Sequence, residues 1–121
     1  MKDAAPRPAK ERFAYGLRLN QEWLAASDEA DAADHEARLL EELKKITLSE
    51  LVNRSPEASV AKAEHWARAH EKYREAMEKA VAARTEANRL KARAEKLHKD
   101  WETWRTMESS RRTELRMTAG I

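Results

Sequence analysis

The sequence predicts an all-α protein, a long antiparallel two-helix coiled-coil hairpin with an alanine-rich seam. Three observations lead there. The 121 residues hold only two glycines and three prolines, while Ala, Glu, Lys, Leu and Arg dominate, the composition of long helices. Apolar residues recur at steps of three and four, the spacing of a helix–helix seam. Pro56 is the only proline after Pro8, and it sits in "NRSPEAS", a stretch suited to a turn.

The elements follow in order. "MKDAAPRPAK" reads as a flexible, mildly basic start over residues 1–8, since prolines resist helix and such termini are commonly loose. A single helical domain is expected over 9–121. Its first helix spans about 9–53, a tight turn occupies 53–55, and the second helix runs over about 56–117. Ser55 suits an N-cap, with Pro56 at a first helical position that needs no backbone N–H.

The second helix carries the clearer repeat: Trp66, Ala69, Tyr73, Ala76, Ala80, Ala83, Ala87, Leu90, Ala94, Leu97, Trp101, Trp104. The steps alternate three and four throughout, as heptad a and d positions do. Read backwards, the first helix offers Ile46, Leu43, Leu40, Ala37, Ala33, Ala30, Ala26, Trp23, Leu19 and Gly16. Both stripes are large at the ends and small in the middle. A fold at about residue 54 sets Leu43 against Trp66, Ala33 against Ala76, Ala26 against Ala83, Leu19 against Leu90 and Phe13 against Leu97. Small residues facing small ones let helices approach closely, toward about 8 Å. In this register the first helix covers the second only to about Asp100, and Trp101–Met117 overhangs by about 25 Å.

Two places resemble additional helix starts. Ser27 with Asp28 and Glu29 suggests a three-helix variant broken near 27–28, and Thr47 with Glu50 has capping-box spacing. The continuous hairpin is preferred because the seam runs through both. A hairpin exposes the flanks of its seam, so a homodimer forming a four-helix bundle is expected.

The charge is nearly balanced, with 24 basic and 22 acidic residues and a net of +2. That argues against a protein that coats DNA by charge alone and against an acidic DNA mimic. Its distribution is uneven. Residues 18–43 carry eight acids against two bases, a net of −6, and 84–117 carry ten bases against six acids, a net of +4. The halves either attract each other or serve an external partner. The acids Asp28, Glu29, Asp31 and Asp34 form a second candidate contact surface, suited to a basic nucleic-acid-binding partner.

No catalytic apparatus is recognisable, so a non-enzymatic protein without cofactor or small-molecule ligand is expected. There is no cysteine, hence no disulfide and no thiolate metal site. His35, His65, His70 and His98 do not match a metal pattern, because His65 and His70 are five apart where helical metal pairs are four apart. They read as solvated helix-face residues. No signal segment or membrane span is recognisable, which leads to the expectation of a cytoplasmic protein without membrane contact.

The candidate partner-binding site is the end of the second helix: Trp101, Trp104, Arg105, Glu108, Arg111, Arg112 and Arg116. Tryptophan and arginine are enriched at interface hot spots, and the same pair of residue types stacks on and clamps single-stranded nucleic acid. The bland reading is that the tryptophans end the core or close a dimer.

The segment from Ile46 to Met117 resembles small helical proteins encoded by bacteriophages and prophages. The resemblance rests on "ITLSELV", "ASVAKAE" and "WETWRTMESSRRTELRM", and covers about the C-terminal 60% of the chain. It carries over Trp101, Trp104, Arg105, Glu108, Arg112, Glu114 and Arg116, and implies a phage protein in a bacterial host cytoplasm. Two functions follow as expectations. One is a binder of a host protein or nucleoprotein complex, such as an inhibitor of a nuclease or defence system, anti-CRISPR action being one instance. The other is an accessory that holds single-stranded DNA in phage recombination or replication. A purely structural, self-associating coiled coil is a third reading.

Overall fold

A computed structural model describes residues 8–119. Most of the expected flexible start, residues 1–7, lies outside the described residues. The described chain is all helix apart from short connections. Helix α1 is Ala9–Arg54, α2 is Val60–Ala69 and α3 is Glu71–Ala119. One long helix packs on another.

The first helix forms without interruption. Residues 27–28 are helical, so the break considered there does not occur. Thr47 also lies inside the helix, and its hydroxyl donates to the Leu43 carbonyl at 2.9 Å instead of capping a new start. The three-helix count arises elsewhere. The expected second helix is two helices, and it starts later than expected. Ser59, not Ser55, is the N-cap: its hydroxyl accepts the Lys62 N–H at 3.1 Å. Ser55 instead accepts the Glu57 N–H at 3.1 Å in a local turn.

His70 separates α2 from α3. Its backbone is extended, and its N–H donates to the Ala67 carbonyl at 3.1 Å. Its ring Nδ1 then accepts the Lys72 N–H at 3.0 Å. One residue therefore closes the end of α2 with its backbone N–H and caps the start of α3 with its imidazole, offsetting backbone groups that a helix end leaves unsatisfied. It also packs on Trp66, with ring centroids 5.3 Å apart.

Contacts divide the described chain into two units, residues 8–28 with 91–119, and Glu29–Leu90. In the first, Leu19 and Ala26 of α1 and Ala94 of α3 are buried. Trp23, Leu97, His98, Trp101 and Trp104 are half-buried around them. In the second, Ala30, Ala37, Leu51, Ala63, Ala67, Ala80 and Ala87 are buried, with Leu40, Trp66, Tyr73 and Leu90 half-buried.

Two expectations about the seam are corrected. Leu43 and Ile46 are 46% and 51% exposed. Beyond Leu40 the three-and-four spacing continues through Lys44, Thr47 and Leu51, of which Leu51 is only 4% exposed. Lys44 fits because a lysine buries its aliphatic stem while its ammonium reaches outward, here to Glu41 at 3.1 Å. The register also differs, by about three helical turns. Arg12 meets Glu108 and Gly16 meets Trp104, where Phe13 was expected to meet Leu97. The chain also does not reverse in a tight turn at 53–55: residues 55–59 connect α1 to α2.

Candidate functional site

Trp101 and Trp104 do not overhang; both pack within the first unit. Trp101 lies beside Trp23, with centroids 5.5 Å apart and planes tilted by 30°. His98 fills the corner, 4.2 Å from Trp23 and 6.4 Å from Trp101. The Arg105 guanidinium sits 4.9 Å from the Trp101 ring centroid, where the ring quadrupole attracts a cation. His98 also places Nε2 at 3.2 Å from the Glu102 carboxylate. The expectation that His70 and His98 merely decorate a solvated face is thus corrected, since one caps and the other packs. His35 and His65 are exposed as expected.

Trp104 depends on Gly16. A Cβ at position 16 would fall under 3.0 Å from Cζ2, Cη2 and Cε2 of the indole. Real Cβ atoms do not approach a ring that closely, so the absence of a side chain makes the room for this tryptophan. The Trp104 Nε1 is buried without a hydrogen-bond partner.

The next turn is ionic. Arg12 Nε donates to Glu108 Oε1 at 3.1 Å, with both side chains about one-fifth exposed. Arg111 Nη1 lies 3.8 Å from the same oxygen, close enough for charge attraction but too long for a hydrogen bond; it too is buried without a hydrogen-bond partner. Trp104, Glu108 and Arg111 join Arg12, Tyr15 and Met107 around a groove of about 480 Å³.

The remaining residues of the proposed site point to solvent. Arg105, Arg112 and Arg116 are exposed, and so are Met107, Leu115 and Met117, at 60%, 62% and 70%. The seven residues singled out in the sequence therefore divide in function. Trp101, Trp104, Glu108 and Arg111 pack against α1 or one another, whereas Arg105, Arg112 and Arg116 lie on the open face. Sequence reasoning missed Met107, Leu115 and Met117, which are exposed along the same stretch of α3 but are spread around the helix; their apolar character among arginines was the available signal.

The acidic surface divides likewise. Asp28, Glu29 and Asp31 are exposed. Asp34 accepts from Arg84 at 2.7 Å and pairs with Arg38 at 2.9 Å, so it serves the interior contact of its own unit. Glu86 is held below the ordinary carboxylate range by its hydrogen bond from Arg89, whose guanidinium is correspondingly raised by Glu86. Among the described residues no group of three or more His, Cys, Asp or Glu is placed to hold a metal ion. No described helix is long and apolar enough to cross a membrane. No protein-family model, no curated protein and no solved structure matches the chain.

Proposed function

We propose that the protein is a non-enzymatic helical binding module that acts through protein–protein contacts made by the end of α3. The observation that carries this reading is the exposure of Met107, Leu115 and Met117, each at least 60% open to solvent, among the exposed arginines 105, 112 and 116. Large apolar side chains interleaved with arginine suit an interface whose partner offers apolar pockets ringed by acids. The resemblance to phage helical proteins adds the kind of target, a bacterial host protein or nucleoprotein complex such as a nuclease or defence assembly. In the same reading the helix pairing is an antiparallel coiled coil, and a second copy completes a four-helix bundle.

Capture from a bacterial lysate tests the reading, with the wild-type chain compared against Arg112→Glu/Leu115→Glu. The variant alters the open face and leaves the Trp101–Trp104 packing alone. A host protein enriched by the wild type and absent with the variant is expected. Identical captured sets from two equally helical proteins would sink the proposal.

Single-stranded DNA binding is the second reading, and the packing of the indoles weakens it. Stacking platforms offer open aromatic faces, whereas Trp101 is occupied by Trp23 and Arg105. Anisotropy of a labelled single strand of about 30 nucleotides, at low and moderate salt, decides the matter. No binding is expected, and submicromolar, salt-steep binding would restore the DNA reading.

A further inference from the structure

Apart from the face of α3 just described, α1 carries an unpartnered surface of its own. In a chain that is 38% charged, one stripe of α1 holds no charge over three turns. Phe13, Leu17 and Leu24 lie on it, at 68%, 49% and 51% exposure. Asn20 and Gln21 fill the same stripe between them, because successive positions at three and four return to one helix face.

A charge of opposite sign bounds the stripe at each end. Lys10 and Asp28 are 18 residues apart, about five full turns, so they share the face of the apolar residues and stand about 27 Å from each other. Both are exposed, and neither forms an ion pair among the described residues.

We propose that this face docks a second copy of the same chain, α1 against α1, antiparallel and related by a two-fold axis near residue 19. The end charges select this occupant. A two-fold contact presents the same patch from both subunits, and so requires self-complementarity. Antiparallel pairing sets Lys10 of each copy against Asp28 of the other, twice. Parallel pairing would set Lys10 on Lys10 and Asp28 on Asp28. The antiparallel register also brings Phe13 and Leu24 of one copy beside the small, exposed Ala25 and Ala14 of the other, which lets the large side chains sit between the helices. A contact of about five turns is smaller than the standard interface of about 800 Å² per partner. The dimer constant is accordingly on the order of 10 μM.

Sedimentation velocity from about 1 to about 300 μM, spanning that constant, tests the proposal. The mass is expected to rise from 14.0 kDa toward twice that value. Leu17→Glu should hold the protein at one chain, with helical circular dichroism unchanged. Lys10→Asp and Asp28→Lys, made singly, should each weaken the dimer about tenfold, since two attractions become two repulsions. The double exchange Lys10→Asp/Asp28→Lys should restore it to within about threefold, because the same pairs re-form with signs reversed.

A monomer across the whole range would overturn the proposal. So would a dimer indifferent to Leu17→Glu, or a double exchange no better than its parents. Should Leu17→Glu lose helix, the charge exchanges decide, since Lys10 and Asp28 are exposed and bear on no core contact. These outcomes are independent of the capture experiment, which alters only α3.

Discussion

Replacing Gly16 with alanine sets two known effects against each other. In the middle of a helix, alanine is favoured over glycine by about 1 kcal/mol. Gly16 lies well inside α1, so on helix propensity alone Gly16→Ala stabilises the protein. The new methyl, however, would sit under 3.0 Å from three ring atoms of Trp104. Ordinary carbon–carbon contact is about 3.5–4.0 Å, and an indole in a packed seam is not a flexible chain end that swings aside. Either the ring leaves its position or the helices part. Overpacking of this kind costs about 1–3 kcal/mol. The clash wins, and the net expectation is a loss of about 1 kcal/mol, or about 4 °C in Tm for a chain of this size. Thermal and urea unfolding followed by circular dichroism measure it. The decisive comparison is the same substitution in a Trp104→Ala background. With the ring gone, only propensity remains, so Gly16→Ala should become stabilising by about 0.5–1 kcal/mol. A Gly16→Ala that stabilises the intact protein as much as it stabilises the Trp104→Ala protein would refute the packing argument.

Three further outcomes follow from the helix contacts and caps. Leu51→Ala should cost about 2–3 kcal/mol in urea unfolding, as a buried leucine does, while Ile46→Ala should cost under about 1 kcal/mol because half of that side chain already faces water. Equal costs would return the seam to Ile46. Ser59→Ala should lose about 1 kcal/mol as an N-cap, and Ser55→Ala clearly less; the reverse order would move the helix start back to Pro56. Glu86 should titrate below an ordinary glutamate by carboxyl NMR, because the Arg89 hydrogen bond favours its charged form. Its contribution is present above the unfolded value and is lost as pH falls through the lowered one. Arg89→Gln should bring the midpoint back up, and an unmoved midpoint would exclude that pairing as the cause.

The sequence made the helices legible and their mutual register much less so. Glycine and proline scarcity marked α1 almost to the residue. The alternating spacing marked the buried face of both long helices, and Leu19, Leu40, Leu90 and Leu97 lie on it. Large aliphatic type points to Leu43 and Ile46, whereas strict spacing leads through Lys44 and Thr47 to the buried Leu51. A lysine that buries its stem is invisible to a rule based on apolar type. The break at His70 had no glycine or proline to announce it, since an imidazole supplied the cap. At the end of α3, residue type alone does not separate the side chains that pack on α1 from those that face solvent. Whether an indole supports the fold or meets a partner depends on what lies opposite, and that depends on register.

Register itself was ambiguous for a physical reason. Alanines at 26, 30, 33, 37, 76, 80, 83, 87 and 94 match small to small in more than one alignment, because a slide by a few whole turns again pairs alanine with alanine. Such a seam favours close approach without choosing among alignments. The choice falls to features that occur once. With Phe13 opposite Leu97, Trp101 and Trp104 would have no covering helix. In the observed pairing each is half-buried, which removes roughly 100 Å² of indole from water apiece and stabilises by about 2–3 kcal/mol each. Together that is about 5 kcal/mol, comparable to the whole stability of many small domains. Gly16 permits the approach of Trp104, and the Arg12–Glu108 pair at 3.1 Å closes the same end with a contact between the helices that a slide would break. The unusual residues at the end of α3 thus answer first to the fold of their own unit, where Trp101, Trp104 and Glu108 select the pairing with α1 that alanine alone would leave open.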